Sequence, residues 1–399
     1  MSTVAIIGNG IAGASVARRL ALAKPDAFSR ISLHEMGRGP GGRAATRKTR
    51  SLPELRINHG APYADISTGK GLDLLASLGD ATETYSAPRC TIDGKTGAVE
   101  PVEQDTAKAM ITGRDGEMAN IAGDLLRDGN DQLLSPIVTH YSSMVRGLSR
   151  GPRPGDPWRL SDKNGDEIDR ADWLIAAGSG IAHPRWSATF GGEPPLVAAA
   201  SEREDAALND ALARVARQTA APVLTVLLYC TDDLANEWQS LAFRDGTLTD
   251  HTVLSKISIQ PCGQAGCAVV LHSTVDYAVG NAGVHGSSSS AARVGDASSD
   301  TTREAAIIDE MLAALDDIPG LPAAGKSRYA FGPLLHRWGN AFPQGEALPQ
   351  ALSVCPESQV AFCGDYVATD ARMGSCESAL LSGVEVADTI IDPIEARSG

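Results

Sequence analysis

The 399-residue sequence lacks several features that define other protein classes. No apolar run approaches the ~18–20 residues that a helix needs to span a membrane, and no charged segment with a cleavage site precedes the apolar residues 4–7. Basic residues are not in excess, since the formal net charge is −14. A phosphate backbone is bound through surplus Lys and Arg, so nucleic acid is a poor candidate partner. We expect a cytoplasmic protein that acts on a small molecule.

Cysteines are few, odd in number and scattered, which is not the pattern of a disulfide framework and fits a reducing compartment. Cys262 and Cys267 (CGQAGC) are close enough to suggest a redox or metal pair. No second pair completes a zinc site, and the alternative is a turn that joins two strands. We therefore predict no metal site.

The chain exceeds the usual size of a single hydrophobic core, so about two domains are expected. Strand-like segments near both ends and in the middle indicate a discontinuous first domain. We predict that residues 1–75, 133–186 and 352–399 bind a cofactor, and that residues 76–132 and 187–351 form a substrate domain.

The first motif is a strand, a glycine turn, a helix and a second strand that ends in an acid. The apolar run TVAII precedes GNGIAG, in which Gly8, Gly10 and Gly13 match G-x-G-x-x-G. Such glycines permit a tight turn, close approach of a pyrophosphate and close packing of helix on strand. Glu35 ends ISLHE and is suitably spaced to bind an adenosine ribose, which favours FAD or NAD over NADP. The alternative is a glycine-rich turn in an ordinary α/β protein.

A second glycine-rich stretch, HEMGRGPGGRAATR, begins one residue before Glu35. An NAD-binding unit does not need a second glycine pair there, whereas flavoproteins of the amine-oxidase type carry E-x-x-x-x-x-G-G-R after the second strand. Glu35, Gly41, Gly42 and Arg43 match that pattern, which favours FAD. The alternative is an arginine-rich surface loop, since Arg38, Arg47, Lys48 and Arg50 also form a local basic patch.

The segment FCGDYV supplies independent support for FAD. Gly364 and Asp365 place a carboxylate at the end of a strand, where such flavoproteins bind the ribityl chain. A helix that begins near Gly374 and Ser375 would direct its N–H groups at the flavin edge that becomes negative on reduction.

Other patterns predict the remaining elements. Residues 69–132 are polar and helix-leaning apart from CTIDG and GAVEP, and residues 137–176 suggest consecutive strands. PVLTVLLYC and CAVVLHST predict strands, whereas the segments after residues 203 and 303 have helical spacing. The Gly/Ser-rich residues 280–302 are expected to form a loop or a mobile surface segment.

Four segments together resemble the renalase family and its bacterial relatives: RGPGGR, INHGAPYAD (57–65), VVLHST (269–274) and LHRWGNAFP (335–343). The resemblance spans most of the chain through spaced motifs. Asn58 and Pro62 depart from it, since an acid and a glutamine are common there.

The resemblance implies an α/β, p-hydroxybenzoate-hydroxylase-like fold, with a Rossmann-type FAD domain and a mixed-sheet substrate domain. It also implies hydride transfer from an isomeric dihydronicotinamide, the 2- or 6-dihydro form of NAD(P), to flavin and then to O2, giving H2O2. The segment 178–183 (GSGIAH) lacks a third glycine, so no second dinucleotide motif is present.

The expected site residues follow from these motifs and from the resemblance. The substrate-side residues are His59, Tyr63, His272, His336, Arg337 and Trp338. The cofactor-binding residues are Gly8, Gly10, Ile11, Ala12, Gly13, Glu35, Met36, Arg38, Gly41, Gly42, Arg43, His59, Gly60, Ala61, Val145, Gly178, Gly364, Asp365, Gly374, Ser375 and Ala379.

Two other functions stay open. The first is an amine oxidase or desaturase of the same superfamily. Amine oxidases usually build an aromatic cage, and this chain has only 18 aromatic residues from which to form one. The second is a flavin-binding module without turnover, used for sensing or assembly.

Overall fold

The computed structural model describes residues 1–398 except 104, 106, 152, 154, 202, 203, 264, 265, 324, 326 and 327; for residues 393–398 it describes the backbone alone. The strands, in chain order, are β1 Ser2–Ile7, β2 Phe28–Glu35, β3 Thr46–Arg47, β4 Ile57–Asn58, β5 Ala64–Ile66, β6 Thr82–Thr84, β7 Arg89–Asp93, β8 Val99–Pro101, β9 Ala109–Gly113, β10 Ile137–Tyr141, β11 Gly147–Arg150, β12 Trp158–Ser161, β13 Glu167–Ala171, β14 Trp173–Ala176, β15 Thr219–Cys230, β16 Asp245–Thr249, β17 Leu254–Cys262, β18 Gly266–Ser273, β19 Phe331–Gln344, β20 Val354–Cys355 and β21 Val360–Phe362. The helices are α1 Ile11–Ala23, α2 Gly69–Ala76, α3 Met118–Leu125, α4 Arg185–Phe190, α5 Pro195–Ala200, α6 Ala206–Arg217, α7 Asp232–Gln239, α8 Val275–Gly280, α9 Ser290–Gly295, α10 Thr301–Asp316 and α11 Cys376–Ser398.

The described strands β10, β2, β1, β14, β21 and β20 form one sheet in that order. All of its neighbours are parallel except β20 and β21. Its central strands are buried apolar runs, as expected for a parallel sheet covered on both faces. Helices α1, α3 and α11 cover one face, and residues of α5, α6 and β12 pack on the other. This is a Rossmann-type arrangement, and the predicted fold class is confirmed.

A second sheet contains β19, β15, β18, β17, β16, β7 and β8 in that order, with a parallel pair only at β16 and β7 among the described strands. Leu224, Val226 and Leu228 of β15 face a core that α7, α8 and α10 complete. The alternate residues Thr225, Leu227 and Tyr229 face the other side, since side chains alternate along a strand. That second face is only partly covered, by residues of β4 and the segment before it.

The expected elements differ from the structure in two places. The Gly/Ser-rich segment 280–302 is not a simple loop, because it contains α9, whose N-cap Ser289 accepts a hydrogen bond from the Ala292 N–H. The region 69–132 holds the additional strands β6 and β9, and β9 pairs with both β6 and β5 through residues such as the buried Ile111.

The CGQAGC segment joins two antiparallel strands, β17 and β18, although residues 264 and 265 lie outside the described part of the chain. Cys262 packs on one face of the sheet and Cys267 on the other. The two sulfurs therefore do not face each other, and Cys267 instead lies directly opposite Cys230. Among the described residues no group of three metal-binding side chains occurs.

The division into domains stays a prediction, and the packing suggests one change. Strands of the parallel sheet lie in the three predicted cofactor segments, and those of the mixed sheet lie in the predicted substrate segments. Helices α3, α5 and α6, however, pack with the parallel sheet. We propose the same division with these helices on the cofactor side.

Candidate active site

The first glycine turn leads directly from β1 into α1. A Cβ on Gly13 would lie 2.1 Å from the Gly8 carbonyl oxygen, so only glycine lets the helix pack this closely on the turn. Gly10 is the N-cap of α1 and provides no side-chain cap, and the first turn of the helix contains no acidic residue. The N–H groups at the start of α1, including those of Ile11 and Ala12, are therefore left for an anion.

The second glycine stretch is bonded to the first. Gly10 and Gly41 form a parallel β-bridge, and the Gly41 N–H donates to the Asn9 carbonyl at 2.9 Å. Glu35 lies behind both, because its carboxylate accepts from the N–H of Asn9 at 2.9 Å and from that of Gly37 at 2.5 Å. Burial raises the pKa of Glu35, and these two backbone hydrogen bonds oppose that shift. The two glycine stretches thus form one continuous surface.

Arg43 and Asp365 lie on segments that are far apart in the sequence, yet they form a bidentate ion pair with both N–O distances at 2.6 Å. The Asp365 side chain is 5% exposed and that of Arg43 is 35% exposed. Arg43 also donates to the Ala341 carbonyl at 3.1 Å. Burial lowers the pKa of Arg43, but Asp365 outweighs it, so the net shift is upward. The pair ties the second glycine stretch to the β21–α11 connection.

Gly60 is small for a reason that the sequence did not indicate. A Cβ there would lie 1.9 Å from the Arg43 carbonyl oxygen and 3.2 Å from the Trp338 ring. The Ala61 N–H donates to the same carbonyl at 3.1 Å. A side chain at residue 60 would therefore meet protein backbone and the Trp338 ring, and the role of Gly60 in flavin binding stays a prediction.

Four polar residues lie in one row across the mixed sheet. His336 is paired with Thr225, Thr225 with His272, and His272 with Lys256. Paired residues on adjacent strands point to the same face, so the row lies on the partly covered face. Trp338, two residues after His336, shares that face.

His59 completes this group from the opposite side. Its ring lies 5.0 Å from that of His336 and 5.1 Å from that of Trp338, and the latter two rings are 4.2 Å apart. The Trp338 Nε1–H donates to the His59 carbonyl at 3.1 Å. We call His59, His272, His336 and Trp338 the imidazole cluster.

The three histidines of the imidazole cluster are held neutral at pH 7. Burial, and then the charge of Arg47, lowers the pKa of His59 to about 4. Burial, followed by Lys256 and His59, lowers that of His272 to about 3. The pKa of His336 is likewise well below its ordinary value, chiefly through burial. His59 Nδ1 and His272 Nε2 have no hydrogen-bond partner among the described residues, which leaves them for a ligand.

Arg337 does not join this group. Strand alternation places it on the opposite face of the sheet, paired with Leu224 of the apolar core. Its charge lowers the pKa of His285, together with the larger effect of burial on that residue. Arg337 therefore belongs with the 280–302 segment rather than with His336 and Trp338.

Tyr63 lies beside the cluster, where it stacks on Tyr85 at 4.8 Å and lies 4.9 Å from the Lys256 ammonium. Lys256 is also paired with the buried Asp245 at 3.2 Å, and the Tyr85 hydroxyl donates to the same carboxylate. Lys256, Tyr85 and Asp245 carried no sequence signal, because only the register of β16, β17 and β18 brings them to the site.

The other expected cofactor residues surround the glycine surface. Met36 and Val145 belong to the apolar cluster on the α6 side of the parallel sheet. Gly178 lies against Gly364, whose added Cβ would be 3.8 Å from the Gly178 Cα. Ser375 accepts from the Ser378 N–H, so it caps α11, and Gly374 and Ala379 flank it.

Glu377, in the first turn of α11, was missed by the sequence analysis. Its buried carboxylate accepts hydrogen bonds from the backbone N–H and hydroxyl groups of both Ser67 and Thr68, at 2.7–3.1 Å. Burial opposes ionisation, but these hydrogen bonds lower the pKa of Glu377 overall. They fix the start of α11 against the segment that follows Tyr63.

Asn58, one of the two departures from the renalase pattern, is structural here. Its side chain accepts from the Thr46 hydroxyl at 2.7 Å and from the Met118 N–H at 3.0 Å, and donates to the Gly116 carbonyl at 2.8 Å. Its backbone is bound on both sides by the Gln260 side chain. The side chain thus joins β4 to β3 and to the start of α3, and the backbone joins β4 to the mixed sheet.

Comparison with known proteins identifies the type of domain at residues 6–77 and the fold of the chain. Residues 6–77 match the model of the NAD(P)-binding Rossmann-like domain. No curated protein matches the chain at a significant level.

In the described part of the chain, no helix combines the length and apolar character needed to cross a membrane.

The fold is shared with solved amine oxidases. Cyclohexylamine oxidase from Brevibacterium oxydans IH-35A has a TM-score of 0.58 and 13% identity, with 99% of each chain covered. A cofactor-binding redesign of putrescine oxidase has a TM-score of 0.56 and 12% identity, covering 98% of this chain and 99% of the other. FqzB gives a TM-score of 0.52 and 14% identity, over 97% of this chain and 75% of its own. Identities this low establish the fold alone.

Proposed function

We propose that the chain is an FAD-dependent oxidoreductase. The observation that carries the proposal is the continuous surface that Gly10 and Gly41 form at the open start of α1, with the imidazole cluster across from it. A single glycine turn suffices for one phosphate group, whereas the joined stretches suit a longer dinucleotide. FAD, when bound, supplies a hydride acceptor and a route for electrons to O2, with H2O2 as the product.

Specific residues fit this cofactor. The N–H groups of Ile11 and Ala12 would bind the pyrophosphate, because α1 has no other cap. Glu35 would accept from the adenosine ribose through lone pairs that its two backbone hydrogen bonds leave free. The start of α11 would face the flavin edge, since Gly374 and Ser375 lie next to the Arg43–Asp365 pair.

The imidazole cluster would bind and orient the substrate. Its neutral rings offer hydrogen-bond donors and acceptors without placing a positive charge next to the reacting carbon. Trp338 would support the substrate ring and, through its bond to the His59 carbonyl, hold His59 in place. The buried face of the sheet behind the row would exclude water from the reacting atoms.

For the substrate, we propose an isomeric dihydronicotinamide, the 2- or 6-dihydro form of NAD(P). The charge of Arg47 lowers the pKa values of both His59 and His336, whereas Lys256 is already paired with Asp245. Cations disfavour a protonated amine and favour a substrate that carries phosphate. The second candidate, an amine oxidase, is supported by the amines named for the two oxidases that share the fold.

The test is anaerobic stopped-flow mixing of the flavin-loaded protein with 6-dihydroNAD, with ordinary NADH as the matched control. We expect bleaching of the flavin band with 6-dihydroNAD only, followed by reoxidation and H2O2 when air is admitted. The His336→Gln variant should bind flavin with the same spectrum but reduce it more slowly.

Other outcomes separate the alternatives. Reduction by putrescine or cyclohexylamine, but not by 6-dihydroNAD, would establish an amine oxidase. Bound flavin that no substrate reduces would favour a module without turnover, and absence of FAD uptake would overturn the proposal as a whole.

A further inference from the structure

A basic cleft lies next to the glycine surface, and of the expected site residues it contains only Arg38. Its volume is about 710 Å³, and it is lined by Arg38, Lys48, Thr49, Arg50, Pro53 and Arg56. Arg38 comes from the second glycine stretch, and the others come from the connection between β3 and β4. We call this the basic cleft.

The positive charge of the basic cleft is only partly balanced. Glu117 pairs with Lys48 and with Arg56, each at 2.5 Å. Among the described residues, no carboxylate pairs with Arg38 or Arg50, and both side chains are exposed. The chain has a formal net charge of −14, so the excess of cations over carboxylates here is local, and it favours an anionic ligand.

Two further arginines extend the same positive region. Burial lowers the pKa of the half-buried Arg47, and so do the charges of Arg38 and Arg293. Arg293 lies in α9, within the Gly/Ser-rich segment, and burial followed by the charge of Arg38 lowers its pKa. Arg293 donates only to the Ser290 hydroxyl, at 3.2 Å, and no carboxylate pairs with either arginine among the described residues.

Arg47 connects the basic cleft to the imidazole cluster. It is paired with Ile57 across β3 and β4, two residues before His59. Its charge acts on both His59 and His336. A ligand with an anionic end at Arg38 and Arg50 would therefore extend past Arg47 toward the cluster.

We propose that the basic cleft binds the phosphate groups of a phosphorylated substrate whose reactive ring lies at the imidazole cluster. This inference rests on the proposed function, because it names the substrate class of the same site: a dihydronicotinamide that carries a pyrophosphate. The same phosphate chemistry could come from the pyrophosphate of FAD, and the experiment separates the two sources.

The experiment measures binding of ADP-ribose and of inorganic pyrophosphate to the flavin-loaded protein by calorimetry, which needs no turnover. The variants are Arg50→Ser and Arg50→Ser combined with Arg293→Ser. Arg159→Ser is the matched control, since Arg159 is an exposed arginine on β12, far from the cleft in the fold. A charge-assisted hydrogen bond contributes about 1.5–3 kcal/mol, so we expect Kd to rise about tenfold or more in Arg50→Ser. The control should bind as the wild type does.

The kinetic measurement uses two substrates with the same reactive ring, one that carries the pyrophosphate and adenosine and one that carries neither. With 6-dihydroNAD, Arg50→Ser should raise KM at unchanged kcat; with the corresponding dihydronicotinamide riboside, KM should be the same in variant and wild type. Equal changes with both substrates would overturn the assignment.

The remaining outcomes are distinct. Loss of bound flavin from Arg50→Ser, with ADP-ribose binding unchanged, would assign the cleft to FAD and overturn the proposal. Absence of binding of both probes to the wild type would mean a solvated basic surface and would also overturn it. Binding of both probes without oxidation of 6-dihydroNAD would support the cleft as a phosphate site and overturn only the proposed substrate.

Discussion

On the glycine side of the candidate site, the charged side chains of Glu35, Arg43 and Asp365 are bound to protein groups, whereas on the sheet side two histidine nitrogens have no partner among the described residues. Glu35 accepts from two backbone N–H groups, and Arg43 pairs with Asp365 through both of its terminal nitrogens. Across from them, His59 Nδ1 and His272 Nε2 have no partner among the described residues. The glycine side is therefore fixed in shape before a ligand arrives, and the sheet side leaves its hydrogen bonds for that ligand.

From this difference we infer that the glycine side binds the cofactor and the sheet side binds the substrate. Backbone and charge pairs build the glycine side, so substitutions there should affect folding and flavin binding together. The sheet side is built from side chains, so substitutions there should change substrate binding and the dependence of stability on pH. They should leave flavin binding unchanged. Four predictions test this contrast, from the largest effect to the smallest.

The largest effect is expected from Gly13→Val. The new Cβ would meet the Gly8 carbonyl oxygen at 2.1 Å, and α1 would have to move away from the turn. We expect loss of flavin binding and a decrease of at least about 3 kcal/mol in the free energy of unfolding. Flavin absorbance and denaturant unfolding measure the two. Gly129→Ala, where an added Cβ meets nothing within 4 Å, is the control and should match the wild type.

The second prediction concerns the Arg43–Asp365 pair. Arg43→Met leaves a carboxylate that is 5% exposed without its partner. The Arg43 side chain is 35% exposed, so solvent screens part of its charge. We therefore expect the free energy of unfolding to decrease by about 2–3 kcal/mol, which is less than for a fully buried pair. The double variant with Asp365→Leu should recover part of this loss, since no buried charge remains. Additive losses in thermal unfolding would contradict this account.

The third prediction concerns the response of the imidazole cluster to acid. The unfolded chain binds protons on its histidines below about pH 6.5, but folded His59 does so only near pH 4. Stability is therefore fully present above pH 6.5 and falls as the pH is lowered toward 4. For His59 alone we expect a loss of about 3 kcal/mol by pH 4. Urea unfolding from pH 7 to 4.5 should show a shallower acid slope in His59→Asn; an unchanged slope would reject the assignment.

The smallest effect is expected from Trp338→Phe. The variant keeps an aromatic ring beside His336 but loses the hydrogen bond to the His59 carbonyl. We expect a decrease of about 1 kcal/mol in stability, with the acid slope and the flavin content unchanged. A larger KM for the substrate with normal flavin absorbance would place Trp338 on the substrate side. Loss of flavin would contradict the inference that substitutions on the sheet side leave flavin binding unchanged.

The glycine side could be predicted from the sequence because its signals are local. The turn, the helix and the acid at residue 35 lie within one short segment, and each follows from steric and dipole arguments. The Arg43–Asp365 contact could not be predicted, since 322 residues separate the partners and no local pattern links them.

The sheet side depends on register, which the sequence does not determine at long range. His336, Thr225 and His272 share a row only because β15 pairs with both β18 and β19 in one alignment. One part of this arrangement follows from local sequence once β19 is known to be a strand, because alternation along a strand separates Arg337 from His336 and Trp338. Lys256 carried no signal, because a lysine in an amphipathic strand is typically a solvated side chain.

The packing of α1 against α11 has a consequence for biosynthesis. An added Cβ on Gly383 would lie 2.6 Å from the Ala12 carbonyl oxygen, and the Ser15 hydroxyl donates to the Leu380 carbonyl at 2.7 Å. Ser15 and Ala12 are thus synthesised well before Leu380 and Gly383, and the packing around α1 is complete only when that later segment has been made. Until then the nascent chain exposes the apolar face of α1, and we expect a cofactor that binds at the start of α1 to be captured late in folding.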